Sequence, residues 1–228
     1  KTICDFRSDL ELLENPSLFD ELSLPKLLHI PIKTLGTQDL KELSSRDDIT
    51  SQELANALEG HYVLYVNQHK EKYSTFLKNI AFEEIPIVFH CFAGKDRTGF
   101  AALLLLGLMG VKKETIIEDY LLTNKYYKGP TSGSNWSDVI SEKIKPLFEA
   151  RAEYINAAFN EIQSRYKDIE EFVVNELNID FDVIDRIKNK YLEQLKIDDK
   201  KNFQENLKII KNQIKQIENL VNEFSDFA

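Results

Sequence analysis

The chain has 228 residues, of which 43% are hydrophobic and 29% charged, and this is typical of one globular domain with or without an appendage. Its 29 Lys and Arg against 38 Asp and Glu give a net charge of −9. That balance argues against a general nucleic-acid-binding surface and against adhesion to anionic lipid by charge alone. Two cysteines, Cys4 and Cys91, are too few for a disulfide framework and are expected to be reduced thiols.

Targeting signals are not visible in the chain. Lys1 leads directly into a strand pattern without the apolar core of a signal peptide, which favours the cytoplasm. A secreted protein whose leader has been removed would begin in the same way. The longest uncharged apolar run, Gly99 to Val111, has 13 residues and is shorter than the ~20 residues that span a bilayer. No transmembrane segment is therefore expected.

The first third of the chain predicts two short strands and a long helical region. Residues 2–7 and 27–32 predict strands, and Pro31 favours an irregular end for the second one. Between them, the segment 8–11 (Ser-Asp-Leu-Glu) suits the cap of a short helix. Apolar residues at three- and four-residue spacings from 51 to 82 predict helical structure.

A strand, a short loop and a buried helix follow. The unbroken apolar run 85–89 predicts a strand in the buried middle of a sheet. The glycine-bearing stretch 90–99 comes next, and the helix predicted at 100–109 is apolar on all sides and must be buried. Such a unit places a loop at the carboxyl end of a sheet, where α/β folds keep their sites. The predicted fold class is α/β, with a central, mostly parallel sheet flanked by helices.

The second half of the chain is predicted to be largely helical. An amphipathic helix is expected at 112–124 and a loop at 128–135, and helical patterns then continue nearly to the end. We expect one catalytic domain at residues 1–192, including extra C-terminal helices, and an amphipathic helix at 193–228. The last segment has a heptad seam made of Phe203, Leu207, Ile210, Ile214, Ile217, Val221 and Phe224.

Two interpretations of the C-terminal heptad segment stay open. A long amphipathic helix can fold back on its own domain, or it can associate with a second copy of the chain. A basic helix lying on a membrane surface is disfavoured, because lysines and glutamates balance each other along it.

The most informative stretch is His90–Gly99. Cys91 leaves a buried strand and enters a turn whose backbone N–H groups can form an anion-binding nest, and the next helix directs its positive end to the same point. Arg97 follows after five intervening residues and can bind two oxygens of a tetrahedral anion at once. All these effects favour the thiolate of Cys91 over the thiol. The residues predict a nucleophile inside a phosphate-shaped site.

This arrangement suits double displacement without a metal or another cofactor. The thiolate attacks phosphorus, and water then hydrolyses the phosphocysteine. Arg97 and the backbone donors stabilise the charge on the equatorial oxygens. Thr98 is placed to donate a hydrogen bond to the sulfur. His90 is expected to orient the loop by hydrogen bonding, with an ion pair to the Cys91 thiolate as the alternative.

A poor leaving group also requires a general acid. No aspartate occurs between Ser51 and Phe89, so Asp96 within the loop is the candidate. The alternative is that Asp96 only pairs with Lys95 or Arg97 and holds the loop. The candidates in reserve are Asp39, Asp47 and Asp48, and we interpret the downstream Trp-Ser-Asp at 136–138 as incidental.

The stretch His90–Gly99 resembles the signature loop of cysteine-dependent tyrosine phosphatases. Its Ala-Gly-Lys-Asp-Arg-Thr-Gly form is similar to the atypical bacterial group that includes protein tyrosine phosphatase B and lipid phosphatase A. The segments 5–8 (Asp-Phe-Arg-Ser), 119–124 and 157–192 resemble further parts of that family. The likeness covers about residues 1–192.

The resemblance implies a tyrosine-phosphatase-like fold and a phosphatase of phosphotyrosine, with phosphoserine/threonine and phosphoinositides as further substrates. Lys95 matches a lysine that binds additional ring phosphates in phosphoinositide phosphatases, whereas Phe92 departs from the more basic loops of lipid phosphatases. The resemblance implies that the catalytic residues are Cys91, Asp96 and Arg97. It implies a substrate-binding set made of Phe92, Ala93, Gly94, Lys95, Arg97 and Thr98. Two residues, His90 and Gly99, are expected to support the loop.

Two departures from the family pattern affect these expectations. Family members usually carry an upstream Phe-Arg-Asp-Leu-Gly-Gly stretch, so we expect the N-terminus to be truncated or part of the substrate rim to be missing. Lys167 stands where the family commonly has glycine after Arg-Tyr, and the turn there is expected to differ.

Two other functions compete with a phosphatase. A rhodanese-like sulfurtransferase also places a cysteine at a strand end, but it has no need of Asp96. A phosphoprotein-binding module without catalysis typically loses the cysteine, the arginine or the acid, and all three candidates are present here. Release of phosphate from p-nitrophenyl phosphate distinguishes an enzyme from a binding module.

Overall fold

The computed structural model describes residues 2–17, 25–33, 46, 48–83, 87–126 and 143–196, with side chains as far as 192. Three parallel strands form its sheet: β1 (Thr2–Asp5), β2 (Lys26–His29) and β3 (Ile87–His90), in the order β2-β1-β3. The prediction of a parallel sheet flanked by helices is confirmed. Of the predicted elements, the loop at 128–135 and the heptad segment at 203–224 lie outside the described residues.

The central strand of this sheet is β1. The prediction that the apolar run 85–89 forms the middle of the sheet is wrong for the three described strands, because β3 lies at one side of β1. Val88 on β3 is 47% exposed, whereas Cys4 on β1 is fully buried. The unbroken apolar run 85–89 therefore corresponds to a strand, β3, that has one face on the core and the other partly exposed to solvent.

Helices surround the sheet. Helix α1 begins with a capping box at Ser8, within the segment predicted to cap it, and α2 begins with a second capping box at Thr50 that was not predicted. The helical region predicted at 51–82 is two helices that meet at His69. The helices are α1 (Asp9–Glu14), α2 (Ser51–Gln68), α3 (Lys70–Phe82), α4 (Asp96–Leu108), α5 (Lys113–Leu121), α6 (Thr123–Tyr126), a 3-10 turn (Lys145–Leu147), α7 (Ala152–Gln163), α8 (Ile169–Asn175) and α9 (Phe181–Lys196).

The core lies between the sheet and these helices and is rich in aromatic rings. Phe6, which follows β1, packs against Phe76 of α3 and Phe89 of β3, with ring centroids 5.2 and 6.3 Å away. Phe100 of α4 packs edge-to-face on Tyr73 at 4.7 Å. The apolar helix predicted at 100–109 is buried as expected. This packing anchors α4, and with it the loop that precedes it.

The sheet register brings the ends of β1 and β3 together. Asp5 pairs with His90, and the backbone N–H of Phe6 donates to the His90 carbonyl at 2.8 Å. Because parallel strands end at the same edge, the residue after β3 enters the space beyond the carboxyl ends of the sheet. That residue is Cys91.

Candidate active site

Cys91 lies between the end of β3 and the start of α4. Residues 91–95 form the connecting loop, and α4 begins at Asp96. Cys91 is 5% exposed. The first N–H groups of a helix lack partners within it and carry partial positive charge, so the loop lies next to a site suited to an anion.

The loop makes its turn at Gly94. This residue has φ +66°, a left-handed conformation that side chains other than glycine rarely adopt. A Cβ atom at Gly94 would meet nothing within 4 Å, so the requirement is conformational rather than steric. The sequence predicted a tight turn here, and the positive φ supplies it.

Arg97 is buried and reaches across the loop to α1. Its Nη1 and Nη2 atoms donate to Glu11 Oε2 and Oε1 at 2.6 and 2.7 Å, and Nη1 also donates to the Phe6 carbonyl at 3.2 Å. A guanidinium has two edges that can bind an anion bidentately. Glu11 takes the Nη1/Nη2 edge. The Nε–H makes no hydrogen bond with the part of the chain that the structure describes, so the Nε/Nη2 edge is open to a second anion.

Arg97 interacts electrostatically with Cys91 as well as with Glu11. Burial alone would lower the pKa of Arg97, but hydrogen bonds to Glu11 and electrostatic interactions with Cys91 and Glu11 raise that pKa above its ordinary value. The guanidinium is thus always charged, and it acts on Cys91 and Glu11 at once. The sequence-based expectation that Arg97 binds two oxygens of a tetrahedral anion at Cys91 stays a prediction.

Glu11 is a site residue that the sequence analysis missed. It was expected only to cap α1, and it does accept the Ser8 N–H at 2.8 Å. Burial raises the pKa of Glu11, but the hydrogen bonds from Arg97 and Ser8 outweigh it and hold that pKa below its usual range. The same carboxylate therefore begins a helix and fixes the guanidinium. The only sequence signal was the capping pattern, which does not name Arg97 as a partner.

The residues around the strand ends support the loop. Asp5 is fully buried and binds Arg7, whose Nη2 lies 2.6 Å from Oδ2. The Nδ1 of His90 lies 2.9 Å from the Cys91 carbonyl, and since a carbonyl only accepts, Nδ1 donates. Its Nε2 lies 3.8 Å from Asp5 Oδ2. These contacts are what the predicted loop-orienting role of His90 requires.

Asp96 begins α4, and its side chain is 24% exposed. Of the two ion pairs considered for Asp96, the structure contains the one with Lys95, whose Nζ lies 3.6 Å from Asp96 Oδ1. Arg97 pairs with Glu11 instead. Oδ1 also accepts a hydrogen bond from the Tyr62 hydroxyl at 3.0 Å. Tyr62 lies in the segment 51–82, where the spacing of apolar residues predicts helical structure, and that pattern does not indicate a contact with Asp96.

Lys95 is directed into the protein. Its Nζ donates to the carbonyls of Leu147 and Glu149 at 2.7 and 3.2 Å, and the residue is 1% exposed. The contact expected between Lys95 and additional ring phosphates is not available in this arrangement. A second phosphate would reach the ammonium only if both hydrogen bonds broke.

The remaining loop residues differ in exposure. Phe92 is 57% exposed and Ala93 is partly buried. The buried hydroxyl of Thr98 has no hydrogen-bond partner in the described residues, so the predicted hydrogen bond to the Cys91 sulfur is not made here. Leaving a buried donor without a partner costs about 1–3 kcal/mol of stability. An acceptor that entered the site could form a hydrogen bond with this hydroxyl and remove that cost. Gly99 lies in the first turn of α4, against the ring of Tyr120.

The reserve acids are not brought to the loop where they are described. Asp48 is exposed and pairs with Arg46 at 2.6 Å. Asp39, Asp47 and the segment 136–138 lie outside the described residues. Within the described ranges, no cluster of three or more His, Cys, Asp or Glu could hold a metal ion. No helix in those ranges combines the length and the apolar character that crossing a bilayer demands.

Several known proteins are similar to this chain over part of its length. A Cupriavidus necator protein whose name assigns it to the tyrosine-protein phosphatases is 35% identical over 98 residues, which cover 41% of this chain and 36% of that protein. A tyrosine-protein phosphatase of Nostoc commune is 36% identical over 75 residues, or 32% and 26% of the two chains. The triple specificity protein phosphatase PtpB of Mycobacterium tuberculosis is 32% identical over 98 residues, or 36% and 35%.

These matches span about a third of the relatives' own lengths or less. A family model matches far more of this chain, from residue 1 to residue 193, and its description is the tyrosine phosphatase family. The match includes the sheet, the loop with Cys91 and Arg97, and the helices as far as α9. This chain therefore belongs to the tyrosine phosphatase family.

Proposed function

We propose that the chain is a cysteine-dependent protein-tyrosine phosphatase that works through a phosphocysteine on Cys91. One observation carries this proposal. Arg97 is buried, interacts electrostatically with Cys91 and is anchored by Glu11 along one edge of its guanidinium, which leaves the Nε/Nη2 edge for a phosphate. Such an anchored cation is preorganised for the charge of a phosphoryl group in transfer.

The chemistry would proceed in two displacements. In the first, Cys91 Sγ bonds to phosphorus as the ester P–O bond breaks, and Asp96 gives its proton to the leaving oxygen. In the second, Asp96 takes a proton from water, the water oxygen bonds to phosphorus, and the S–P bond breaks. The products are inorganic phosphate, the free alcohol and the regenerated thiolate. Arg97 and the loop N–H groups would stabilise the equatorial oxygens in both steps.

Phosphotyrosine is the proposed main substrate, with phosphoserine and phosphothreonine as further ones. The names of the similar proteins support this range, since two of them are tyrosine phosphatases and one is a triple specificity protein phosphatase. The exposed ring of Phe92 in the loop could contact the ring of a phosphotyrosine. Phosphoinositides remain a third proposed class, although the buried position of Lys95 does not favour them.

The test of covalent catalysis uses the two cysteines of the chain. Cys91→Ala should lower the turnover of p-nitrophenyl phosphate and of a phosphotyrosine peptide by at least about 10³-fold, because no other nucleophile replaces the thiolate. Cys91→Ser should still bind the peptide. Cys4→Ala is the matched control, since Cys4 is buried in β1 and burial raises the pKa of its thiol to about 11.

Substantial turnover by Cys91→Ala would reject the covalent mechanism. Peptide binding by the wild-type chain without any release of phosphate would instead identify a phosphoprotein-binding module. A panel of phosphotyrosine, phosphoserine and phosphoinositide substrates, measured by phosphate release, would rank the proposed substrate classes.

The test of the acid uses the leaving group. Asp96→Asn should slow a substrate with a poor leaving group, such as phenyl phosphate, about 10²-fold more than p-nitrophenyl phosphate, because only the poor leaving group needs a proton. Equal losses on both substrates would reject Asp96 as the general acid.

A cytoplasmic location also remains a proposal, supported by the two free cysteines of the described residues.

A further inference from the structure

Asp96 is hydrogen-bonded to Tyr62, which is the first of two buried tyrosines joined by a hydrogen bond. The Tyr62 hydroxyl lies 3.0 Å from Asp96 Oδ1 and 2.8 Å from the hydroxyl of Tyr120. Tyr62 is fully buried and Tyr120 is 4% exposed. Burial and the charge of Asp96 raise the pKa of both hydroxyls, so both remain protonated at physiological pH. Two neutral donors therefore lie behind the carboxylate.

The direction of these hydrogen bonds follows from the number of protons. Tyr62 has one hydroxyl proton and two oxygens within reach, and an ionised carboxylate is the stronger acceptor. Tyr62 therefore donates to Asp96, and Tyr120 donates to Tyr62. Hydrogen-bond donation therefore runs from Tyr120 through Tyr62 to Asp96 Oδ1.

Gly99 makes room for this arrangement. A Cβ atom at Gly99 would lie 2.9 Å from Cδ2 of Tyr120, closer than side-chain atoms normally approach. The absent side chain lets the ring of Tyr120 pack against the first turn of α4, one turn after Asp96. The glycine of the signature loop thus has a specific role here, which is to admit the second tyrosine of the pair.

The two oxygens of Asp96 have different surroundings. Oδ1 accepts from Tyr62 and lies 3.6 Å from Lys95 Nζ, whereas Oδ2 receives no hydrogen bond from any residue that the structure describes. The side chain as a whole is 24% exposed. With Oδ1 held from inside, Oδ2 is the oxygen free to exchange a proton with a substrate or with water.

We propose that Tyr62, backed by Tyr120, is a positioning residue that holds Asp96 Oδ1 so that Oδ2 delivers the proton to the leaving oxygen. This inference rests on the proposed function of Asp96 as the general acid. When the Oδ2–H bond breaks and the proton moves to the leaving oxygen, negative charge develops on the carboxylate. The hydrogen bond from Tyr62 strengthens at that moment, because charge-assisted hydrogen bonds are the stronger ones, and the Tyr62 proton itself stays in place.

The experiment compares Tyr62→Phe with the wild-type chain on two substrates. Phenyl phosphate needs the general acid, because the phenol that leaves has a pKa of about 10. The nitrophenol that leaves from p-nitrophenyl phosphate is more acidic and does not need to be protonated. We expect kcat/KM to fall about tenfold for phenyl phosphate and less than about twofold for p-nitrophenyl phosphate. Tyr120→Phe, which removes the donor behind Tyr62, should give a smaller loss in the same direction.

Tyr65→Phe is the matched control. Tyr65 lies on the same helix, is 1% exposed, and has its ring centroid 5.4 Å from that of Tyr62. Its buried hydroxyl has no hydrogen-bond partner in the described part of the chain. Removing this hydroxyl tests the loss of a buried tyrosine oxygen without the contact to Asp96. Turnover of both substrates should change less than about twofold.

A double mutant separates positioning from a general structural effect. In the Asp96→Asn background, Tyr62→Phe should cost less than a further twofold on phenyl phosphate, because the carboxylate that it positions is gone. Equal losses of Tyr62→Phe on both substrates, while Asp96→Asn keeps its leaving-group selectivity, would overturn the positioning role and leave the proposed function intact. Loss of that selectivity in Asp96→Asn itself would overturn both.

Discussion

Arg97 and Glu11 form the contact on which the geometry of the site depends most. Their side chains are 6% and 14% exposed, and they share two hydrogen bonds across the Nη1/Nη2 edge. A buried pair of this kind contributes little net stability compared with apolar packing, but breaking one side leaves an uncompensated charge. We therefore interpret Glu11 as the residue that holds the guanidinium in orientation and leaves its Nε/Nη2 edge without a partner among the described residues.

The first prediction at this scale concerns Glu11→Gln. We expect the variant to be less stable than the wild type by about 2 kcal/mol at pH 7, because Arg97 stays buried with a weaker partner. The folded-state pKa of Glu11 lies below its ordinary value of 4.5, so its stabilising contribution is present above that value. It is lost as the pH falls through the folded pKa. The difference between the two proteins should therefore shrink below pH 4.5.

Chemical denaturation between pH 7 and pH 3 measures this difference. Glu14→Gln is the control, since Glu14 lies exposed on the same helix and makes no ion pair with the described residues. A stability difference for Glu11→Gln that stayed constant across this range would contradict the assignment of the ion pair.

The elements around the site owe their positions to close packing at a few glycines. Gly107 in α4 lies against Ile169 at the start of α8, and a Cβ atom there would be 2.2 Å from Ile169 Cδ1. Helix α4 carries Asp96 and Arg97 at its first turn, and Gly107 lies near its other end. The sequence analysis predicted α4 as buried, and only the packing identifies Gly107 as the point of closest approach.

We expect Gly107→Ala to destabilise the fold by about 2 kcal/mol, because overpacking outweighs the gain in helix propensity. Ile169→Val removes the nearest atom, so the double mutant should lose less stability than the two single changes together. The control is Gly60→Ala in α2, where a Cβ atom meets nothing within 4 Å, and it should be neutral or more stable. Thermal or denaturant unfolding measures all four variants, and additive losses would count against the steric explanation.

The family model covers residues 1–193 of the whole molecule and leaves out the C-terminal segment in which the sequence shows a heptad pattern. The family match ends at residue 193, near the predicted boundary at 192, and helix α9 continues through that boundary to Lys196. The heptad seam begins after it, at Phe203. Association through the seam would leave the loop with Cys91 unchanged, because the residues that build the site come from the matched region.

The prediction at this scale is a truncation after Lys196, which retains α9 in full. Turnover of p-nitrophenyl phosphate should stay within about twofold of the full chain, because no described site residue is removed. If the seam joins two copies, light scattering should show the full chain as an oligomer and the truncated chain as a monomer. Identical masses would favour the alternative in which the helix folds back, and a loss of turnover would mean that the segment contributes to the site.

The sequence by itself determined the local features of this protein. The spacing of Cys91 and Arg97, the turn at Gly94 and the apolar helix behind it are contiguous, and their chemistry follows from neighbours along the chain. The parallel sheet, most helix positions and the cap at Ser8 were predicted from hydrophobic periodicity and local residue types along the chain.

Only the tertiary structure decided which distant side chains meet. Glu11 and Arg97 are 86 residues apart, and Tyr62 and Asp96 are 34 apart. The order of the strands, with β1 in the middle, and the inward direction of Lys95 were likewise not predictable. The physical reason is that hydrophobic periodicity specifies which face of an element is buried, but not which element covers it. Partners across the core are set by how the elements pack, and a single sequence carries no direct record of that packing.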